Sequence, residues 1–144
     1  ELELTESVLM EQHDEIVATI QRLRQRGVKF SMDDFGTGYS SLTYLKRLPF
    51  DHLKLDKSFI AGINHKDDVG DGGEIVKTVI GLGRVLGLRT VAEGVEREDQ
   101  LRFLQTHGCD EAQGYYFSPA LPADAFAELM TRQPVFALPL PSST

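Results

Sequence analysis

Two adjacent aspartates, Asp33 and Asp34, follow an apolar run and precede Phe35-Gly36-Thr37-Gly38. Neighbouring carboxylates repel each other, so keeping both charged calls for a compensating cation. A pair of divalent ions about 4 Å apart, bridged by a shared carboxylate, is one such partner. The other reading is structural: one aspartate caps the helix that follows and its neighbour is solvated. The residues alone leave both open. Similar side chains recur further along: Glu3 and Glu6, Lys54 and Asp56, Glu93 and Glu96 on either side of Gly94-Val95, and Gln113 before Gly114. Each of these is more often a surface charge or a local hydrogen-bond partner; their recurrence at successive strand ends is what points to a site. Cys109, with Gly108 and Asp110 as neighbours, lacks the electropositive setting that makes a thiolate nucleophile.

These side chains sit at the ends of predicted strands. The apolar/polar alternation of Leu2 to Thr5 predicts a strand, as do Val28 to Met32, His52 to Leu55, Leu88 to Ala92 and Glu111 to Tyr116. Helical spacing predicts helices through Ile16, Ile20 and Leu23, from Ile75 to Leu86, from Gln100 to Thr106 and from Asp124 to Met130. A short helix through Leu42, Leu45 and Leu48 stops before Pro49, and a further segment lies near Phe59. The second strand is expected to stop at Asp33-Asp34. Asn64 to Gly73, polar, acidic and glycine-rich, reads as an exposed loop, and Pro134 to Thr144 as a Pro/Ser-rich tail. Alternating strands and helices without hairpin signals predict parallel strands joined by right-handed crossovers. Five such strands form either a small open sheet or part of an eight-stranded barrel, and both place active sites at strand ends.

With 41% hydrophobic and 26% charged residues, the 144-residue chain has the composition of a soluble globular domain. A net charge of −7 argues against a general binder of nucleic-acid polymers or membrane surfaces. An acidic protein still takes a phosphate compound when metal ions offset the repulsion. No stretch approaches the roughly 20 apolar residues of a membrane span, and a single cysteine fits a reducing compartment.

Five segments resemble, in order, the motifs of the EAL-type cyclic-di-GMP phosphodiesterases. Glu3-Leu4-Thr5-Glu6-Ser7 is similar to the family's ExTES strand, and Asp33 to Leu42 to its DDFGTGxSSL loop. Leu53-Lys54-Leu55-Asp56 resembles the LKID strand, followed by Val91-Ala92-Glu93-Gly94-Val95-Glu96 and Gln113-Gly114-Tyr115. The resemblance runs from about Glu1 to Pro122 and implies an α/β fold, a parallel (β/α) barrel of TIM type. It also implies two Mg²⁺ or Mn²⁺ ions that activate water against one phosphodiester of cyclic di-GMP, giving linear pGpG. Glu3, Asp33 and Asp34 match metal ligands, with Asp33 the bridge. Lys54 matches a lysine that orders the attacking water, and Glu93 a glutamate that is ligand or general base. Gln113 matches an inner-shell residue, and Asp56 and Glu96 are candidates for the same shell facing substrate. Glu6 matches a residue steadying the loop that Gly36, Thr37 and Gly38 let turn, a loop that in the family couples dimerisation to metal binding.

The Glu-Ala-Leu signature and a later asparagine, metal ligands of the family's first strands, have no match in this chain. Opening on Glu1 inside a predicted strand, the sequence reads as a fragment: an incomplete barrel lacking its first strands, short by about two fifths of such a domain. Residues 1–133 are expected to be the C-terminal part of the domain and 134–144 a tail. Alone the chain is expected to be poorly active. A cytoplasmic setting follows from the substrate class and the single cysteine, with a membrane-anchored parent that holds this domain in the cytoplasm as the alternative, and a homodimer through Asp33–Leu42 follows from the resemblance. A non-catalytic sensor of the dinucleotide, or an interaction piece that completes its barrel with another chain, are the alternatives.

Overall fold

The computed structural model describes residues 1–5, 13–36, 45–46, 48–63 and 71–132. Five strands form one parallel sheet among these residues, in the order β1 (Leu2–Thr5), β2 (Phe30–Phe35), β3 (His52–Leu55), β4 (Arg89–Ala92) and β5 (Glu111–Ala112). Spatial order equals sequence order, the arrangement produced when every connection is a crossover to the adjacent strand. The helices are α1 (His13–Arg24), α2 (Lys57–Ala61), α3 (Asp71–Leu86), α4 (Glu98–His107) and α5 (Ala123–Arg132). Among the described residues this is a five-stranded parallel α/β sheet.

The two faces of the sheet differ in chemistry because side chains alternate along each strand. Phe30, Met32, Leu53 and Leu55 are buried in one core with Ile60, Val76, Val79, Ile80, Leu101 and Leu104 from the helices. Glu3, Ser31, Asp33, His52 and Lys54 occupy the alternate positions and meet one another across the strands. An apolar face under helices and a polar face opposite is what places charged groups side by side.

Most boundaries agree with the sequence expectation to within two residues, and three larger differences have a physical reason. β2 runs on to Phe35 instead of stopping at the aspartates, because a bulge absorbs the extra residue: Met32 pairs with Leu53 and Phe35 with Leu55. α3 begins at Asp71, so Asp71 to Gly73 are helical and not loop. There Gly72 serves close approach: a Cβ on it would come within 2.9 Å of the Gly62 backbone, so α2 and α3 pack backbone to backbone. β5 pairs through only two residues and gives way to a turn at Gln113-Gly114. Leu45 and Leu48 are buried as their spacing suggests, whereas Leu42, residues 64–70 and the tail lie outside the described residues.

Candidate active site

Lys54 is the centre of the polar face. It is 6% exposed, and its Nζ lies 2.7 Å from Glu3 Oε1, 3.1 Å from Asp33 Oδ1 and 2.6 Å from Glu93 Oε1. Gln113 Nε2 donates to the same Glu93 oxygen at 2.9 Å. Residues from the ends of five consecutive strands thus converge on one point, although some are 110 positions apart in sequence. Burial is the largest single influence on the Lys54 ammonium and by itself would lower its pKa. The close contacts with Glu3, Glu93 and Asp33, with the Glu93 charge, together outweigh it and hold the pKa above the ordinary lysine value.

The Asp33-Asp34 pair is shaped by the bulge. The additional residue interrupts the regular register of β2 with β3 at this pair. Asp34 has φ +53° and Gly36 φ +91°, both left-handed. Aspartate tolerates that region better than most residues, at a cost of about 1 kcal/mol that persists only where the surroundings fix it. Asp33 Oδ1 is within ion-pair distance of Lys54 yet accepts no directed hydrogen bond from the described residues, although it is buried. It is a buried carboxylate oxygen with coordinating capacity left over.

The segment after β4 is fixed by its backbone. The N–H of Glu93 donates to Leu55 O at 3.1 Å, and that of Val95 to Gln113 O at 3.0 Å. Returning bonds run from Gln113 N to Ala92 O and from Tyr116 N to Val95 O, at 2.8 and 2.9 Å. Gly114 lies so close that a Cβ on it would fall 2.2 Å from Val95 O and 2.3 Å from Val95 N. Replacing Gly114 by Ala is therefore expected to cost about 2–4 kcal/mol and to pull Gln113 away from Glu93. Gly81→Ala is the control, since a Cβ there meets nothing within 4 Å, and it should leave stability level or raise it by up to about 1 kcal/mol. Equal melting temperatures for the two variants would contradict the close-packing account.

Three carboxylates around one ammonium leave two negative charges uncompensated in the cluster. That excess, the unbonded oxygen of Asp33 and the all-oxygen donor set fit a hard divalent cation. Among the described residues no group of three or more His, Cys, Asp or Glu side chains is already gathered as a metal cage. The acids are spread around the lysine, which occupies their midst.

Other expected site residues lie apart from the cluster. Asp56 caps α2: its carboxylate accepts from Ser58 N at 2.9 Å, and a hydrogen bond from the Ser58 side chain, the largest influence, together with this backbone bond holds its pKa below the usual carboxylate value. Glu96 is exposed and lines a groove of about 620 Å³ with Lys57, Glu93, Gln113, Tyr115 and Phe126. Glu6, Thr37 and Gly38 lie outside the described residues. A second polar layer was not expected from the sequence. His52 Nδ1 is 3.1 Å from Glu1, Ser31 Oγ bonds to the same carboxylate, and Arg89 meets Glu111 at 3.1 Å. Its signal was available, since His52 and Ser31 stand two residues before Lys54 and Asp33 and so share their face.

Burial pushes the Cys109 thiol up, and its sulfur faces the carbonyls of Thr90 and Glu111 at 3.6 and 3.3 Å. Cys109→Ser is expected to leave any turnover within about twofold of the unmodified protein, and a large loss would revive a nucleophilic role.

A parallel α/β sheet with acids and a lysine at its strand ends has the layout in which (β/α) barrels carry their sites, and comparison with known proteins gives the family. This chain belongs to the EAL domain family, whose model matches residues 1–120. It is 48% identical over 132 residues to the cyclic di-GMP phosphodiesterase NbdA of Pseudomonas aeruginosa, covering 90% of this chain and 16% of that protein. Its fold is similar to the PaMucR phosphodiesterase in complex with c-di-GMP, with TM-score 0.79 and 46% identity, over 87% of this chain and 49% of the other. Klebsiella pneumoniae BlrP1, in a manganese and cyclic-di-GMP complex, matches with TM-score 0.69 and 34% identity over 81% of this chain and 29% of its own. The chain thus spans about half or less of the proteins it matches. The sheet described above corresponds to part of a TIM-type barrel. No helix among the described residues is long and apolar enough to cross a membrane.

Proposed function

We propose that residues 1–133 are the C-terminal part of a metal-dependent phosphodiesterase domain that hydrolyses cyclic di-GMP to linear pGpG, with 134–144 as a tail. The observation that carries this reading is the convergence of Glu3, Asp33, Glu93 and Gln113 on Lys54 at the ends of parallel strands. The names of the relatives support the substrate, and the manganese complex of BlrP1 supports the metal class.

Glu3, Asp33, Asp34 and Glu93 are the residues that would hold Mg²⁺ or Mn²⁺, which supplies charge compensation and lowers the pKa of water beside the phosphate. Lys54 stays protonated at neutral pH and contributes a fixed positive charge that attracts a phosphodiester and orients a water. Glu93, held between Lys54 and Gln113, has an oxygen fixed in direction and can accept a proton at the carboxylate. Glu96 lines the groove that leads away from the cluster and serves substrate placement, and Asp56, the cap of α2, sets the start of the helix whose first residue, Lys57, lines the same groove. A homodimer through the Asp33–Leu42 segment and a cytoplasmic setting complete the reading, and solution mass measurement tests the dimer.

The test compares this chain with a version extended upstream by the preceding coding sequence, each incubated with cyclic di-GMP and Mn²⁺. Rapid production of pGpG by the extended version, and slow or no production by the 144-residue chain, is expected. Tight binding of intact cyclic di-GMP without product would make the protein a sensor. A normal rate from the short chain would contradict the need for upstream ligands.

A further inference from the structure

Gln100 stands in the first turn of α4 and is 2% exposed, yet both polar atoms of its side chain are bonded. Oε1 accepts from the backbone N–H of Glu96 at 2.9 Å and of Arg97 at 3.0 Å, and Nε2 donates to Ile60 O at 2.9 Å. The bond to Arg97 N is one half of a capping box. Arg97 has no acceptor in its side chain and cannot return it. A glutamate would cap this helix equally well, but an ionised carboxylate cannot also donate to a carbonyl. An amide does both.

The bond to Ile60 joins two elements that carry the site. α2 starts directly after β3, the strand of Lys54, and Ile60 lies in its last turn. α4 starts directly after the segment from Glu93 to Glu96. Gln100 therefore ties the peptide that follows Glu93 to the helix that follows Lys54. Arg97 reinforces the tie, with Nη2 donating to Ile63 O at 2.6 Å while its Nε pairs with Asp99 at 2.9 Å. With these bonds the N–H groups of Glu93, Val95, Glu96 and Arg97 are all held, by Leu55, Gln113 and Gln100.

We propose that Gln100 is a positioning residue that fixes the Glu93–Glu96 segment, and through it the 2.6 Å contact between Glu93 and Lys54. This rests on the reading of Glu93 as a site residue. Gln100 itself touches neither substrate nor ion; it acts by removing freedom from the peptide that carries the two glutamates.

The test replaces Gln100 by Met, of similar size and without polar hydrogens, and uses two readouts. In the 144-residue chain, the amides of Glu96 and Arg97 should exchange with deuterium about tenfold faster, whereas those of Leu53 and Leu55 in β3 keep their protection. In the extended version, kcat for pGpG formation should fall about tenfold or more with KM within about twofold. Gln100→Glu keeps both acceptor bonds, so it should retain protection at Glu96 and Arg97 and lose less of kcat; this variant decides the matter if the Met variant does not fold. Unchanged exchange at Glu96 and Arg97, a uniform rise that includes Leu53 and Leu55, or an unchanged kcat would each overturn the proposal. If the unmodified extended version makes no pGpG, the hydrolase reading fails there, and the exchange pattern still decides the role of Gln100.

Discussion

Replacing Lys54 by Met is expected to destabilise the metal-free chain by about 3 kcal/mol. Three carboxylates lose the cation they share, and two of them, Asp33 and Glu93, are about four-fifths buried on their side chains. The figure sits at the low end for a broken buried pair because Glu3 is half exposed and screened by solvent. Denaturant unfolding in the presence of a chelator measures it. Adding Mn²⁺ should stabilise the variant more than the unmodified chain, since a divalent ion replaces the missing charge. The pH dependence has a definite sign. A lysine whose folded pKa is raised contributes its full stabilisation below the unfolded value of about 10.4 and loses it as pH rises through the higher folded value. The gap between variant and unmodified chain should therefore hold steady from pH 7 to about 10 and close only above that. A variant as stable as the unmodified chain at pH 7 would contradict the clustered geometry.

Asp33→Asn should separate chemistry from folding. Asp33 Oδ1 is buried, lies 3.1 Å from Lys54 and accepts no directed hydrogen bond from the described residues, so the amide replacement removes little that holds them together. Stability should change by less than about 1 kcal/mol, helped by lower repulsion within an acidic cluster. Its capacity to coordinate is another matter. In the upstream-extended version kcat/KM should drop about thousandfold, the scale expected when an ionic ligand of a metal-assisted hydrolysis is lost. Mn²⁺ affinity, measured by titration calorimetry, should fall with it. Activity within a few-fold of the unmodified enzyme would remove Asp33 from the metal site. A large stability loss without an affinity loss would make its role structural.

The legible parts of the fold were those written in side-chain alternation. His-Leu-Lys-Leu at 52–55 reads as a strand because its faces differ, and the structure gives the same bounds. Parallel pairing followed from strand–helix repetition. What the sequence hid were features that depend on close approach or on a single irregular residue. Gly72 reads as a loop breaker, yet it lets α3 meet Gly62 on the backbone. Asp33-Asp34 reads as a strand end, yet a bulge carries β2 past it to Phe35. The gathering of Glu3, Asp33 and Glu93 on Lys54 was suggested by recurring strand ends, but their meeting on one ammonium depends on strand register, which no local pattern specifies. Gln100 gave no signal at all, because its two partners on one side are local and its third lies 40 residues away.

The central claim is that water, and no group of the protein, ends up on the phosphate of cyclic di-GMP. The direct measurement is the reaction of the upstream-extended version with cyclic di-GMP and Mn²⁺ in ¹⁸O-labelled water, with mass analysis of the product. The account predicts pGpG carrying a single ¹⁸O in its 5′-phosphate, formed in step with loss of substrate. Cyclic di-GMP recovered intact from a protein that binds it, or a product without the label, would contradict it.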